Sequence, residues 1–275
     1  MNKTFSTLGL QELLKFPFRD NRAVGKILIA ALFLIVGIIP PFIGWLFLLG
    51  WYMRVSKSVI ENKGLGELPE WDNWGQMILD GLKFVGVALL YFLPVILIFV
   101  IGYSLMAIPA LTSATRTFDP FFDYTNPEDW AGLVPWMAGP SIGGAIIVWI
   151  GSLAAIAVTL FMWPAMLNMI AKGKFGAAFH FSEWWANLKA NFLGYLVVYL
   201  IVVGTSYLIG SIIGVLSTTI ILICLLPFAL IAVKLYLFVI TFAVLGQVYL
   251  EGEQKLATPA SSQATVKAVR KPAKK

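Results

Sequence analysis

The sequence is poor in the residues that most enzymes use for catalysis and metal binding. Its 275 residues include one cysteine and one histidine, and only 12% are Asp, Glu, Lys or Arg. The single cysteine, Cys224, excludes an intrachain disulfide and lies in an apolar run that disfavours a thiolate. His180 has no cysteine or carboxylate cluster at ligand spacing, so we predict no metal site and no cofactor. Motifs of phosphate-binding loops, nucleophile elbows and zinc hydrolases are also absent, and we predict that the protein is not an enzyme.

Hydrophobic residues dominate the composition instead. They make up 59% of the chain, and the mean hydropathy is +0.85, which leaves too little polar surface to cover a water-soluble fold. We therefore predict an all-α fold, a polytopic transmembrane helix bundle with short amphipathic helices at the membrane surface. The net charge of +6 is better explained by membrane topology than by nucleic-acid binding.

Apolar segments divide the chain into about six predicted spans within a transmembrane bundle at residues 25–250. These spans lie at about 25–39, 42–61, 81–109, 141–171, 191–216 and 219–249. Pro40 and Pro41 interrupt the first apolar stretch, which leaves open whether residues 25–61 form two spans or one kinked span.

Three polar segments lie outside the bundle. Residues 1–24 are predicted to be a cytoplasmic amphipathic segment, because apolar and charged residues alternate there at helical spacing. Residues 112–140 form an external acidic loop in this prediction. Residues 251–275 lack the apolar content needed to fold, and we predict a disordered basic cytoplasmic tail.

The basic residues indicate how the helices are oriented. In the six-span arrangement, 18 of the 20 Lys and Arg residues lie on one side of the membrane, and only Arg116 lies on the other. Positively charged loops remain in the cytoplasm, so we predict that both ends of this sequence are cytoplasmic and that the protein lies in a cytoplasmic membrane. Lys234 is the one basic residue inside a predicted span.

Two connectors between spans carry tryptophan pairs and stand out as candidate sites. In the first connector, Pro69 and Glu70 are predicted to begin a helix, since proline and a carboxylate suit a first turn. Its candidate residues are Glu70, Trp71, Asp72, Trp74 and Asp80, and those of the second connector are Trp184 and Trp185. The indoles are typical of the headgroup level, and the alternative is that the acidic face docks a basic partner. The two hairpins around these connectors resemble each other, which leaves an internal duplication open.

The same segments resemble a known family. The motifs that carry the likeness are Leu-Lys-Phe-Pro-Phe at 14–18, Gly-Trp-Tyr-Met-Arg-Val at 50–55, Leu-Pro-Glu-Trp-Asp-Asn-Trp at 68–74 and Asp-Gly-Leu-Lys at 80–83. Over residues 10–250 the chain resembles domain-of-unknown-function family 4013, multi-pass membrane proteins of bacteria and archaea with a Pro-Glu-Trp-Asp-x-Trp segment. The resemblance implies a bacterial or archaeal inner-membrane protein and transfers no catalytic residue. The acidic loop and the Lys-rich tail depart from the family.

Two further features are candidates for function. Lys234 is a candidate intramembrane charge, with a snorkelling lysine as the alternative. Ser206, Gly210 and Gly214 recur every four residues in the fifth predicted span, and such small residues let helices approach closely. Packing within the chain and packing between chains both remain open for this face.

From these features we expect a non-enzymatic accessory or scaffold subunit. Its expected partners are membrane lipids, including anionic headgroups attracted by the tail, and other membrane-protein subunits or a second copy, but no nucleic acid. The alternative is a transporter, channel or lipid-moving protein that binds an anionic group at Lys234 inside the bundle.

Overall fold

The computed structural model describes residues 12, 15–36, 43–117, 125–216 and 220–269, and these residues are almost entirely helical. The α-helices are α1 (Ala23–Val36), α2 (Ile43–Glu61), α3 (Trp74–Thr117), α4 (Pro127–Lys172), α5 (Phe181–Ala190), α6 (Phe192–Leu216) and α7 (Ile220–Val269). Short 3-10 helices at Phe16–Phe18 and Phe175–Phe179 precede α1 and α5. The predicted all-α class is confirmed.

Four of the described helices contain segments long and apolar enough to cross a membrane. These segments are Trp74–Ile108, Ile142–Lys172, Phe192–Val215 and Leu230–Ala257. The protein is therefore a multi-pass membrane protein with four supported spans, fewer than the six predicted. The difference lies in α1 and α2: α1 has only 14 residues, and α2 carries Arg54 and Lys57 in its second half.

The apolar stretch at residues 25–61 contains two helices packed against each other. The rings of Phe33 on α1 and Phe47 on α2 lie 4.8 Å apart, a contact that one kinked helix does not allow across 14 residues. Pro40 and Pro41 lie outside the described residues. The second helix ends where Lys63 adopts φ of 53° and the Gly64 amide donates to the Val59 carbonyl at 3.0 Å.

The chain forms two compact units. The first comprises Met1–Val87 and Met162–Lys275. Its core contains apolar side chains from α1, α2, α3 and α7, among them Trp51, Val55, Met77 and Phe242. About half of the span in α7 is buried, against 6% to 11% in the other three spans, so α7 is the central helix of the first unit.

Close helix crossings in the first unit depend on glycine. A Cβ atom at Gly50 of α2 would overlap the Met77 carbonyl oxygen, and a Cβ atom at Gly81 of α3 would overlap the Leu46 carbonyl oxygen. These contacts bring α2 directly against the first turns of α3.

The second unit comprises Ala88–Phe161 and is a pairing of α3 with α4. A Cβ atom at Gly144 would lie 2.7 Å from the Gly102 carbonyl oxygen, which is closer than side chains tolerate. Small residues therefore set the spacing between these two helices.

Several predicted boundaries need correction. The third span was expected to start at residue 81, but α3 starts at Trp74. The predicted external loop at residues 112–140 is helical at both ends, since α3 reaches Thr117 and α4 starts at Pro127, a residue that suits a first helical turn. Most of the predicted amphipathic segment at residues 1–24 lies outside the described residues.

The tail also differs from the prediction, because α7 continues to Val269 instead of ending near residue 249. Glu251 is buried beside Asn191, whose side-chain amide donates to it at 3.3 Å. This contact with Asn191, in the turn between α5 and α6, thus supports α7 just beyond residue 249, in a segment whose own composition does not favour folding. Residues 270–275 lie outside the described residues.

Candidate functional site

In the structure the first connector is residues 62–73, because Trp74 and Asp80 lie in α3. One buried cation fixes this connector to α1. The Lys26 ammonium is only 5% exposed and pairs with the Asp20 carboxylate, which is 7% exposed. It also donates to the Leu68 carbonyl at 2.6 Å and lies 2.9 Å from the Glu70 carboxylate. The hydrogen bond from Lys26 holds the pKa of Asp20 below its usual value. The single charge of Lys26 therefore connects α1 to the segment before it, at Asp20, and to the first connector, at Leu68 and Glu70.

A second cation fixes the end of the same connector. The Arg54 guanidinium on α2 donates to the Asp72 carboxylate at 2.7 Å, to the Asp72 carbonyl at 2.8 Å and to the Asn73 carbonyl at 3.1 Å. A planar guanidinium can satisfy several acceptors at once, which a lysine in its place cannot match. The connector is thus tied to α2 immediately before α3 begins.

Tryptophan side chains hold the middle of the connector. Trp71 stacks on Trp51 at a ring-centroid distance of 5.0 Å and on Phe33 at 5.4 Å. Its indole N–H donates to the Lys26 carbonyl at 3.0 Å, and the Trp51 indole donates to the Pro69 carbonyl at 3.1 Å. Trp71 is therefore packed between α1 and α2, with both faces of its ring in contact with protein.

The predicted helix start at Pro69 and Glu70 is wrong. Residues 65–70 have no regular secondary structure, and α3 starts only at Trp74. Asn73 precedes the helix with φ of 45°, and its side-chain oxygen accepts from the Gln76 amide at 3.4 Å. The Asn73 side chain thus caps a helix that starts four residues after Glu70. Glu70 does not serve in the first helical turn, because its carboxylate pairs with Lys26.

A mixed-charge cleft of about 640 Å³ lies between α2, the first connector, α3 and the end of α4. Its charged lining residues are Arg54, Lys57, Glu61, Glu70, Asp72, Asp80 and Lys83. The carboxylates are paired within the chain, including Asp80 with Lys83 at 3.0 Å and Glu61 with Lys57 at 3.6 Å. These two pairs each lie within a single helix, whereas the pair of Arg54 with Asp72 joins α2 to the first connector.

The second connector, residues 173–190, is fixed through Asn168 near the end of α4. The Asn168 amide donates to the Ala177 carbonyl at 2.8 Å and to the Glu183 carboxylate at 3.0 Å, and its oxygen accepts from Tyr249 at 3.1 Å. Glu183 also pairs with Lys172 at 2.5 Å. That hydrogen bond from Lys172 holds the pKa of Glu183 below its usual value.

Two more asparagines join this connector to α7. The Asn187 amide donates to the Tyr249 carbonyl at 3.1 Å and to Glu253 at 2.9 Å, while its oxygen accepts from Tyr195 at 2.9 Å. Asn191 donates to the Val248 carbonyl at 2.9 Å. Both asparagines are buried, so their hydrogen bonds are made away from water.

The tryptophans of the second connector differ in exposure. Trp184 is 4% exposed and lies edge-on to Phe181 at a centroid distance of 4.8 Å. Trp185 is half-buried, stacks on Phe181 at 5.3 Å and carries the Lys189 ammonium over its ring at 5.3 Å.

The remaining predicted site residues lie apart from both connectors. Lys234 is exposed on α7, so it does not lie inside the bundle as the transporter alternative requires. Ser206, Gly210 and Gly214 are exposed on α6. Within the part of the chain that the structure describes, no group of His, Cys, Asp and Glu side chains is arranged to hold a metal ion.

Sequence reasoning missed the residues that do most to fix the connectors: Lys26, Arg54, Asn168, Asn187 and Asn191. Lys26 had a usable signal, because it stands in an apolar run with Asp20 six residues before it. The three asparagines also had a usable signal in the sequence, since amide side chains at the ends of apolar helices need hydrogen-bond partners.

Comparison with known proteins gives one match. The sequence profile of a family described as "Protein of unknown function (DUF4013)" matches residues 33–220. No curated protein and no solved structure matches the chain.

Proposed function

This chain belongs to the DUF4013 family of proteins of unknown function, and from that premise we propose that it is a non-enzymatic membrane component. Its role is that of an accessory or scaffold subunit, which packs against other membrane proteins and lipid. The membrane is the inner membrane of a bacterium or archaeon.

The observation that carries this proposal is the exposed small-residue face of α6. Nothing lies within 4 Å of a Cβ atom placed at Gly210, and the neighbouring Ser206 is exposed as well. The Ser206 hydroxyl donates to the Val202 carbonyl at 2.7 Å and so presents little polarity to a neighbour. By contrast, Gly102 and Gly144 bring two helices of this chain together in the second unit. The α6 face therefore suits a helix from another chain.

Photocrosslinking in the native membrane tests this role. A benzophenone amino acid at Ser206 is expected to give a crosslinked protein adduct. The matched control is the same probe at Gly204, an equally open position about 120° around the helix from Gly210. Adducts of equal yield at both positions, or at neither, would contradict a specific contact on the Ser206 face.

The charge asymmetry supports an orientation with both ends of this sequence in the cytoplasm. Eighteen of the 20 basic residues then lie on the cytoplasmic side, where they also attract anionic headgroups. Green fluorescent protein fused after residue 275 is expected to fluoresce, and alkaline phosphatase at the same point is expected to be inactive. The opposite pair of results would reverse the orientation.

No specific observation favours a transporter or channel. That alternative needs Lys234 to bind an anionic group within the bundle, whereas the side chain is exposed on α7. An exposed lysine in this position suits snorkelling toward headgroups or contact with a neighbouring subunit.

A further inference from the structure

The helices α1 and α2 are short in comparison with the membrane. The hydrocarbon core of a bilayer is about 30 Å thick and requires about 20 helical residues to cross it. The first helix has 14 residues, Ala23–Val36, and the second has 19, Ile43–Glu61, of which the last eight include Arg54 and Lys57. Neither helix offers a full apolar span.

Charged clusters mark where each helix meets the polar level of the membrane. Near the start of α1, the Lys26 ammonium contacts Asp20, Glu70 and the Leu68 carbonyl. In the second half of α2, Arg54 binds Asp72. So many charges require headgroups or water nearby. Because Glu70 and Asp72 are two residues apart in the first connector, both clusters lie at the same surface of the bilayer.

Distances from these clusters give the depth that the two helices reach. The ten residue steps from Lys26 to Val36 cover about 15 Å, and the eleven from Arg54 back to Ile43 cover about 16 Å. The six residues that join the helices, three for each arm, add at most about 10 Å even when fully extended. The total is less than 30 Å, and an extended backbone in hydrocarbon would leave its amides without partners.

One face of α1 is exposed along this depth. Val24, Leu28, Leu32 and Ile35 recur at helical spacing and are 65%, 64%, 57% and 47% exposed. The opposite face is buried in the first unit through Ala23 and Ala30. An apolar face that starts at a charged cluster and extends about half a bilayer matches the acyl chains of a single leaflet.

We infer that α1 and α2 form a re-entrant hairpin, which enters one leaflet and returns to the surface it came from, with acyl chains covering Val24, Leu28, Leu32 and Ile35. This inference goes beyond the role as a scaffold subunit and does not depend on it. A hairpin that returns to its own side keeps residues 1–24 and the first connector on one surface, just as two full spans do. The number of basic residues on each side of the membrane is therefore the same for a re-entrant hairpin and for two full spans.

Cysteine labelling from each side of the membrane tests the hairpin. In a Cys224→Ser background, Ile38→Cys places a thiol between the two helices, while Glu67→Cys and Thr125→Cys serve as matched controls on opposite sides. We expect a membrane-impermeant maleimide to label each control from one side and to label Ile38→Cys from neither, in right-side-out and inside-out vesicles alike. After denaturation in SDS, the same reagent should label all three, because each thiol can then ionise in water.

Labelling of Ile38→Cys by the impermeant reagent from the side that labels Thr125→Cys would overturn the hairpin in favour of two full spans. Labelling of Ile38→Cys from the side that labels Glu67→Cys would also contradict it, because the thiol would then lie at the membrane surface and not among acyl chains. Neither result depends on which side is the cytoplasm.

A spin label at Leu32→Cys tests the lipid contact separately. In vesicles of phosphatidylethanolamine and phosphatidylglycerol, we expect strong relaxation by oxygen and weak relaxation by a water-soluble nickel chelate, with the reverse at Glu67→Cys. Protection of the Leu32 label from both reagents would show that protein covers this face and would overturn lipid as its occupant.

Discussion

The first connector is an extended segment held mainly by the cations Lys26 and Arg54, whereas the second is helical and held mainly by asparagine side chains. Lys26 and Arg54 bind carboxylates and carbonyls of residues 65–73. Asn168 and Asn187 bind carbonyls, a tyrosine and carboxylates around α5. Similar pairs of tryptophans in the sequence therefore occur in two different kinds of structure, which does not support an internal duplication.

The difference has consequences for stability. A buried charge is costly when its partner is removed, because the remaining charge has neither water nor a counterion. A buried amide costs less, since only hydrogen bonds are lost. We therefore expect the first connector to be the more sensitive of the two to single substitutions.

The largest effect is expected from removing the buried cation. Lys26→Met leaves the Asp20 carboxylate and the Leu68 carbonyl without their ammonium partner, and we expect it to lower the free energy of unfolding more than any other substitution named here. SDS titration of the protein in mixed micelles measures this change. The control, Lys57→Met, removes an exposed pair and should change stability by less than about 0.5 kcal/mol. Equal effects of the two substitutions would refute a special role for Lys26.

A smaller difference is expected between the tryptophans of the two connectors. Trp71→Ala removes a ring stacked on Phe33, Trp51 and Trp74, and we expect a loss of about 3 kcal/mol. Trp185→Ala removes a half-buried ring with one cation above it, and we expect about 1 kcal/mol. The same titration compares them, and a larger loss at Trp185 would reverse the proposed order of the connectors.

The asparagine network should show an intermediate cost. Asn187→Ala leaves the Tyr195 hydroxyl and the Tyr249 carbonyl without their partner, so we expect a loss of about 2 kcal/mol. Asn62→Ala removes an exposed amide that donates to Ser58 at 3.1 Å and should have little effect. If Asn187→Ala is as mild as Asn62→Ala, the network does not hold the second connector to α7.

The smallest effect is a pH dependence at the second connector. Because the pKa of Glu183 is lowered by Lys172, ionised Glu183 stabilises the fold above its unfolded-state pKa, and this contribution is lost as the pH falls through the lowered value. We expect thermal unfolding of Glu183→Gln to depend less on pH than that of the unaltered protein between pH 6 and pH 3. Identical pH profiles would mean that Glu183 does not contribute.

The sequence predicts the fold well where hydrophobicity alone determines a helix. The fifth predicted span, 191–216, corresponds to α6 at Phe192–Leu216, because an uninterrupted apolar run in a membrane has no alternative to a helix. The prediction of a helix start at Pro69 was wrong because it considered only the helix preference of Pro69 and Glu70, and not a contact with a residue far away in the sequence. Lys26, 44 residues from Glu70 in the sequence, pairs with that carboxylate in the folded protein, and Glu70 lies outside any helix.

The candidate site was harder to predict than the fold for the same reason. Its contacts join residues far apart in the sequence, such as Asn187 with Tyr249, 62 residues away. Periodicity describes only which face of a helix is apolar, and says nothing about which distant group a buried amide will meet. The extension of α7 past residue 250 follows from such contacts.

Native mass spectrometry after mild extraction from the native membrane tests the proposed scaffold role most directly. We expect the 30.3 kDa chain to appear in an assembly of higher mass, to lose that mass with Gly210→Leu, and to keep it with Gly204→Leu. A species at 30.3 kDa alone, or an assembly that both substitutions leave intact, would contradict packing through the Gly210 face of α6.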